Sequence, residues 1–279
     1  MGARRYLAVA AGAVLIMTPE AAFGAEPTKE LMSPPQRRPD WSDEFTGHHL
    51  DRAHWRFETD RNAAGWYNGE AQYYAADEGA NLSVDKGFLT IRATRFPPGT
   101  AYPKDWGAQR YASARISTKT LMAWSKGYFE VRAKVPCARG MWPAIWMLPV
   151  RGAWPAAGEI DIMEQLGREH DLIHSTLHYA ADDGKHVSTS ASANVASVCR
   201  GFHRYQMRWE DKAITFGVDD RAFQRIDTSG IGPKGQPVFG APFYIILNLA
   251  VGGDWAGTQG IDDAALPQTF SIDYIRIWK

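Results

Sequence analysis

The chain has 279 residues, 45% hydrophobic and 22% charged, with 31 basic residues balancing 31 acidic ones. That is the composition of a soluble globular protein with a sizeable core. Zero net charge and the lack of a basic stripe argue against nucleic acid or an anionic membrane as partner.

The chain opens on what reads as an export signal. Arg4 and Arg5 precede the apolar run YLAVAAGAVLIM, and small residues follow at Ala22, Gly24 and Ala25. The run is shorter than the about 20 residues a bilayer span takes. A signal peptide over 1–25 is therefore expected, leaving a secreted or periplasmic product with no membrane association after cleavage. Residues 26–40, EPTKELMSPPQRRPD, are proline-rich and polar and read as a linker. One domain over 41–279, starting near Trp41 and monomeric, is expected from there on. Cys137 and Cys199 are the two cysteines, and in an exported protein such a pair suggests a disulfide. The loop it closes, about 60 residues, would contribute about 4 kcal/mol in the chain-entropy model.

Period-2 alternation then recurs along the chain. GFLTIRAT (87–94) sets Leu89, Ile91 and Ala93 against Phe88, Thr90 and Arg92. GYFEVRAKV (127–135) sets Phe129, Val131, Ala133 and Val135 against Tyr128, Glu130, Arg132 and Lys134. AITFGVDDRAFQRI (213–226) reads as two strands around an Asp219-Asp220 turn, FYIILNLAV (243–251) as a buried central strand, and FSIDYIRIWK (270–279) as a closing strand. Such strands between Gly/Pro/Asp loops predict an all-β antiparallel sandwich.

GEIDIMEQ (158–165) does not fit a plain strand. It places Glu159, Asp161 and Glu164 among Ile160, Ile162 and Met163. Residues two apart share a face, so Glu159 and Asp161 point one way. One extra residue at Met163, a β-bulge, would return Glu164 to that side. The row is open to three readings. Glycoside hydrolysis uses two carboxyl groups, about 5–5.5 Å apart in retaining enzymes, and Asp161 would help hold one Glu ionised and the other protonated. A hard-metal site would need further ligands from elsewhere. A solvated strand face would want Lys or Arg nearby, and the surroundings are apolar and aromatic. Trp142 and Trp146 in GMWPAIWMLP (140–149) lie just upstream. Eleven Trp and eleven Tyr suit cores and sugar-binding surfaces alike, and indoles beside carboxylates make a sugar-stacking platform.

GEIDIMEQ with its extra Met163 resembles the bulged signature of glycoside hydrolase family 16, the laminarinase-like β-glucanases. GWYNGEAQYY (65–74), YASARISTK (111–119), GYFEVRAKVPCARGMWPAIWMLP (127–149), IHSTLHY (173–179), FHRYQMRW (202–209), PFYIILNLAVGGDWAG (242–257) and LPQTFSIDYIRIW (266–278) resemble family blocks in family order. The resemblance implies a β-jelly-roll sandwich of two antiparallel sheets with a concave carbohydrate-binding groove. It implies a retaining double displacement, with Glu159 as nucleophile, Glu164 as general acid/base and Asp161 assisting, and no cofactor for catalysis. Bulged members are mostly β-1,3-glucanases, so an endo-β-1,3-glucanase acting on laminarin-like β-glucan is expected. Hydrolysis of mixed-linkage β-1,3-1,4-glucan or β-galactan is the alternative. A non-catalytic glucan-binding module would be marked by loss of a catalytic Glu, and both are present.

The resemblance also assigns Asn68, Arg115, Asn248 and Trp255 to the groove. Asn248 could equally satisfy backbone within its strand. His174 and His178 on a strand stand roughly 13 Å apart at ~3.3 Å per residue, too far to share one metal ion. His178 is expected to hydrogen-bond near the acid/base, and Ser175 stands where relatives commonly have Gly. A structural calcium on the convex face is implied at Glu44, the backbone oxygen near Gly87, and Asp273, which simple alternation buries beside Ile275 and Ile277.

Overall fold

The computed structural model describes residues 31–100, 109–232 and 237–279. The expected signal peptide and the start of the linker lie outside them.

Two sheets face each other across one apolar core. The seven-stranded sheet runs His186–Asn194, Leu172–Ala180, Glu159–Glu164, Met141–Pro149, Phe243–Val251, Arg115–Ser117, Arg56–Phe57. The ten-stranded sheet runs Arg221–Asp227, Ala213–Val218, His203–Trp209, Gly127–Lys134, Gln268–Trp278, Phe88–Arg95, Tyr111–Ser113, Gln72–Tyr74. Trp41–Asp43 also pairs with Gln268–Trp278, and Leu82–Asp85 with Phe88–Arg95. All pairings are antiparallel except Gln72–Tyr74 with Tyr111–Ser113, which is parallel.

The alternating strands bury the residues their pattern requires. Leu89, Ile91, Ala93, Phe129, Val131 and Ala133 from one sheet meet Ile145, Met147, Ile160, Met163, Leu247 and Leu249 from the other. A fully buried aliphatic side chain of this size stabilises by about 1.5–3 kcal/mol. The Asp219-Asp220 turn forms as expected, with φ of 49° and 68°, between Ala213–Val218 and Arg221–Asp227. Positive φ at both central residues suits the right-handed twist of a hairpin, and Asp tolerates it.

Cys137 and Cys199 form a disulfide, with their Cα atoms 5.6 Å apart. Cys137 lies between Gly127–Lys134 and Met141–Pro149, and Cys199 between His186–Asn194 and His203–Trp209. Each of these connections passes from one sheet to the other, so the bridge ties two crossings together.

The linker reading fails for its C-terminal part. Met32 is fully buried against Tyr128, Ala222 and Trp278, and its N–H donates to the Asp220 carbonyl at 2.9 Å. Trp278 Nε1 donates to the Arg37 carbonyl at 2.9 Å, and Arg37 Nη2 to that of Lys279 at 2.7 Å. A single buried methionine in a polar stretch has no periodicity to betray it.

Candidate active site

The strand Glu159–Glu164 is inside its sheet, between Met141–Pro149 and Leu172–Ala180. Glu159 pairs with His178, Asp161 with Thr176, and Glu164 with His174, with a register shift between Asp161 and Glu164. His174, Thr176 and His178 are two apart and share a face, so the three acids share it too. Against the other neighbour, Asp161 pairs with Trp146, Met163 with Ile145 and Glu164 with Ala144. The bulge is therefore the pair Ile162-Met163, both turned into the core at 3% and 0% exposure. Met163 keeps a partner and Ile162 is the residue passed over, one position earlier than the sequence suggested. Ser175, opposite the bulge and fully buried, donates its hydroxyl to the Ile162 carbonyl at 2.7 Å.

A row of directly opposed residues crosses the sheet: Arg115, Asn248, Ala144, Glu164, His174 and Ser192. Around it, indoles engage the acids. Trp142 Nε1 donates to Glu164 Oε1 at 3.0 Å, and Trp154 Nε1 to Glu159 Oε2 at 2.6 Å. His178 Nε2 lies 3.1 Å from Asp161 Oδ2, and His178 Nδ1 is 2.8 Å from His186 Nε2. His178 thus stands at the Glu159 end of the row, not beside Glu164 as expected; the residue opposite Glu164 is His174, whose Nε2 bonds Glu169 at 2.7 Å. The two histidines do not converge on one point.

Burial governs the electrostatics. It pushes the Glu159 carboxyl up to about 8, with the Asp161 charge adding to the rise and His178 and the Trp154 N–H opposing it. Burial also raises Asp161, against a hydrogen bond from Glu159. Glu164 is pushed well above the usual carboxylate range by burial and then by Asp161, with the Trp142 N–H opposing. Among the described residues no Lys or Arg is ion-paired to any of the three. Three like charges in so dry a place are mutually unfavourable, so protons stay on the row. A carboxyl that keeps its proton beside one that loses it is the arrangement acid and nucleophile require.

The remaining expected residues divide. Trp255, from the short helix Gly253–Ala256, packs edge-on against Trp142, with centroids 5.3 Å apart, and lies 5.1 Å from His174. Gly253 has φ of 79°, and a Cβ there would come within 2.8 Å of the Asn68 carbonyl oxygen, so this helix seats directly on the turn Tyr67–Gly69. Asn68 is exposed in that turn with φ of 59°. Arg115 is buried, donates to Glu58 at 3.1 Å, and sits 4.7 Å from the Trp146 ring centroid and 5.1 Å from that of Trp66. Asn248 is 5% exposed, and both ends of its amide are used by Trp146 and Tyr74. Sequence reasoning passed over Trp154, His186, Glu70 and Tyr74. The dipeptide Trp154-Pro155 just ahead of the acids was the one local signal.

The two acids implied for calcium are oxygen donors of the kind that ion takes, and in this structure each is paired with an arginine. Both oxygens of Glu44 are taken by Arg276, at 2.9 and 2.8 Å. Asp273 is bonded to Arg132. Gly87, with φ of 80°, is the second residue of the Lys86-Gly87 hairpin turn. Nor is Asp273 buried beside Ile275: a register shift between Ile272 and Tyr274 turns it outward while Ile275 and Ile277 stay at 0% exposure.

A two-sheet sandwich carrying a bulged, indole-flanked row of three acids is the arrangement of a glycoside hydrolase. The family model for glycosyl hydrolases family 16 matches residues 59–276, and the chain belongs to that family. It is 37% identical over 253 residues to a β-glucanase of Rhodothermus marinus, covering 86% of this chain and 84% of that one. It is also 37% identical over 254 residues to a glucan endo-1,3-β-glucosidase of Cryptopygus antarcticus, covering 86% and 91%. A solved structure of a mutant of SCLam, a non-specific endo-β-1,3(4)-glucanase with a 1,3-β-D-cellobiosyl-glucose at its active site, superposes with a TM-score of 0.83 at 38% identity, covering 91% of this chain and all of that one.

Proposed function

We propose that the protein is a retaining endo-β-1,3-glucanase that acts outside the cytoplasm on laminarin-like β-glucan. The observation that carries this reading is the single-face row Glu159–Asp161–Glu164, with an indole N–H on each glutamate. Glu159 attacks the anomeric carbon while Glu164 gives its proton to the departing glycosidic oxygen. A glycosyl-enzyme ester forms on Glu159. Glu164, now ionised, takes a proton from the incoming water, whose oxygen attacks the same carbon and frees Glu159. Asp161, between them, shares a proton with Glu159 and opposes double ionisation of the row. The aromatic and polar residues Arg115, Trp142, Trp146 and Trp255 form the sugar-binding face. The bulge and the β-1,3-glucanase relatives favour β-1,3 linkages, and the similarity to a 1,3(4)-glucanase extends the reading to mixed-linkage glucan. The basic-then-apolar start of the chain supports export to the periplasm or medium.

The test is incubation with laminarin, lichenan and agarose, with products sized and the anomeric configuration followed by NMR. Oligosaccharides from laminarin, first released as the β-anomer, are expected. Inverted products, or cleavage of agarose alone, would overturn the reading.

A further inference from the structure

Trp146 stands beside Asp161 in register and is half-buried. Its indole Nε1 donates to Asn248 Oδ1 at 2.7 Å. Asn248 Nδ2 donates to the Tyr74 oxygen at 3.0 Å, and the Tyr74 hydroxyl donates to Glu70 Oε2 at 3.3 Å. Gln72 Nε2 donates to the same oxygen at 2.7 Å, while Gln72 Oε1 accepts from the Val251 N–H at 2.7 Å. An indole N–H can only donate and a carboxylate can only accept. With those two ends fixed, the amide of Asn248 and the hydroxyl of Tyr74 have one orientation each. Glu70, Tyr74 and Asn248 are 8%, 0% and 5% exposed, so water offers them little alternative. Burial pushes the Glu70 carboxyl up, and Gln72, the Arg115 charge, Tyr74 and Asn68 oppose the rise.

We propose that Glu70 and Tyr74 are positioning residues for glucan, fixing Trp146 through Asn248 as the stacking wall beside the acid row. This rests on the β-glucan reading above. In it Asn248 acts through Trp146, not on the sugar. The Arg115 guanidinium, held by Glu58 against the same ring, fixes Trp146 from a second direction. None of these groups takes part in bond making or breaking.

Tyr74→Phe keeps the ring volume and removes the link. KM for laminari-oligosaccharides should rise about fivefold, the equivalent of one net hydrogen bond, with kcat held within about twofold. Glu70→Gln keeps an acceptor oxygen and should stay within about twofold of wild type, whereas Glu70→Met should match Tyr74→Phe. Combining Tyr74→Phe with Trp146→Ala should add nothing to Trp146→Ala alone, because groups acting through one another are not additive. A readout free of substrate is the Trp146 indole proton in 15N-Trp-labelled enzyme, identified by its loss in Trp146→Ala. Its exchange with water should quicken about tenfold in Tyr74→Phe. Unchanged exchange, additive losses, or equal falls in kcat would overturn the relay. If the wild type cleaves no glucan, the function reading fails while the indole proton still tests the relay. Should Tyr74→Phe lose its near-UV circular dichroism, Glu70→Met carries the same expectations.

Discussion

The acid row of one sheet and the arginine-paired acids of the other are held in opposite ways. On the ten-stranded sheet acids meet cations: Glu44 with Arg276, Asp273 with Arg132, and Asp220 with Arg204 at 2.6 Å. On the seven-stranded sheet the row Glu159–Asp161–Glu164 meets indoles, one imidazole and its own members. Both sheets also carry a bulge next to an acid, and the bulges work in opposite senses. At Ile162-Met163 the extra residue gathers a third acid onto a face that holds two. At Asp273 it turns an acid out of a core face that holds isoleucines. The lesson is that one strand gathers three acids on one face with no Lys or Arg paired to them among the described residues, and that their proton affinity is raised by burial and, for the two glutamates, by Asp161.

That difference has a sign in stability. The row's carboxyls bind protons more tightly folded than unfolded, so the folded state loses stability as pH rises from the unfolded carboxyl range toward the folded value. For Glu159 that window runs from 4.5 to about 8. The largest expected effect breaks the comparison at this point. Glu159→Gln should lower kcat by at least about 1,000-fold and raise the melting temperature at pH 8, by about 2–4 °C per kcal/mol relieved. Glu44→Gln should leave kcat within about twofold and lower the melting temperature slightly, since half-exposed pairs contribute about 0–1 kcal/mol. Kinetics and thermal melts at pH 5 and 8 decide it. A destabilised Glu159→Gln would mean that the row is not strained.

Deleting one residue at each bulge is the next test. Removing Met163 leaves Glu164 two positions after Asp161 and shortens the row. Activity should fall roughly 100-fold, as for an ångström-scale misplacement of a catalytic group, with the strand still folded. Removing Asp273 should leave activity within about threefold, because its strand lies in the other sheet. Equal losses from both deletions would show that fold disruption, not acid geometry, is being measured. Met163→Leu should be nearly silent, costing under about 1.5 kcal/mol.

A smaller effect concerns Trp154, whose N–H holds Glu159 down against burial. In Trp154→Phe that opposition is gone, so the acid limb of the kcat/KM profile should move up by about one pH unit. An unmoved limb would place the control of Glu159 elsewhere.

Much of the fold was legible because its signal is local. Phe88–Arg95, Gly127–Lys134 and Phe243–Val251 declare themselves through alternation or unbroken apolar character, and the acid row through a break in alternation. His186–Asn194 was not legible. It is an edge strand whose residues alternate between exposed and half-buried, and the half-buried face, Val187, Thr189, Ala191 and Ala193, is too small and too weakly apolar to stand out. The arginines opposite Glu44 and Asp273 were hidden for another reason: which cation faces which acid depends on strand pairing, not on sequence neighbours. The same holds for Glu70 and Tyr74, which reach Trp146 only because Asn248 lies between them in space. The histidines show the limit within one strand. Periodicity put His174 and His178 on one face, but the register alone decided which of them stands opposite Glu164.

The smallest expected effect tests whether the bulge is held or merely tolerated. Ser175 gives its hydroxyl to the Ile162 carbonyl, at the one place where the neighbouring strand passes a residue without a partner. A buried carbonyl left without a donor costs about 1–3 kcal/mol. Ser175→Ala removes the donor and leaves the strand backbone free to pair as before. The melting temperature should fall by about 2–6 °C, while kcat should fall less than threefold if Met163 and Ile162 remain packed in the core. A Ser175→Thr variant would keep a hydroxyl but add a methyl group where exposure is 0%, so it separates the bond from the space around it. If Ser175→Ala melts like wild type and Ser175→Thr does not, the constraint on this position is volume, and the bulge owes its geometry to core packing alone.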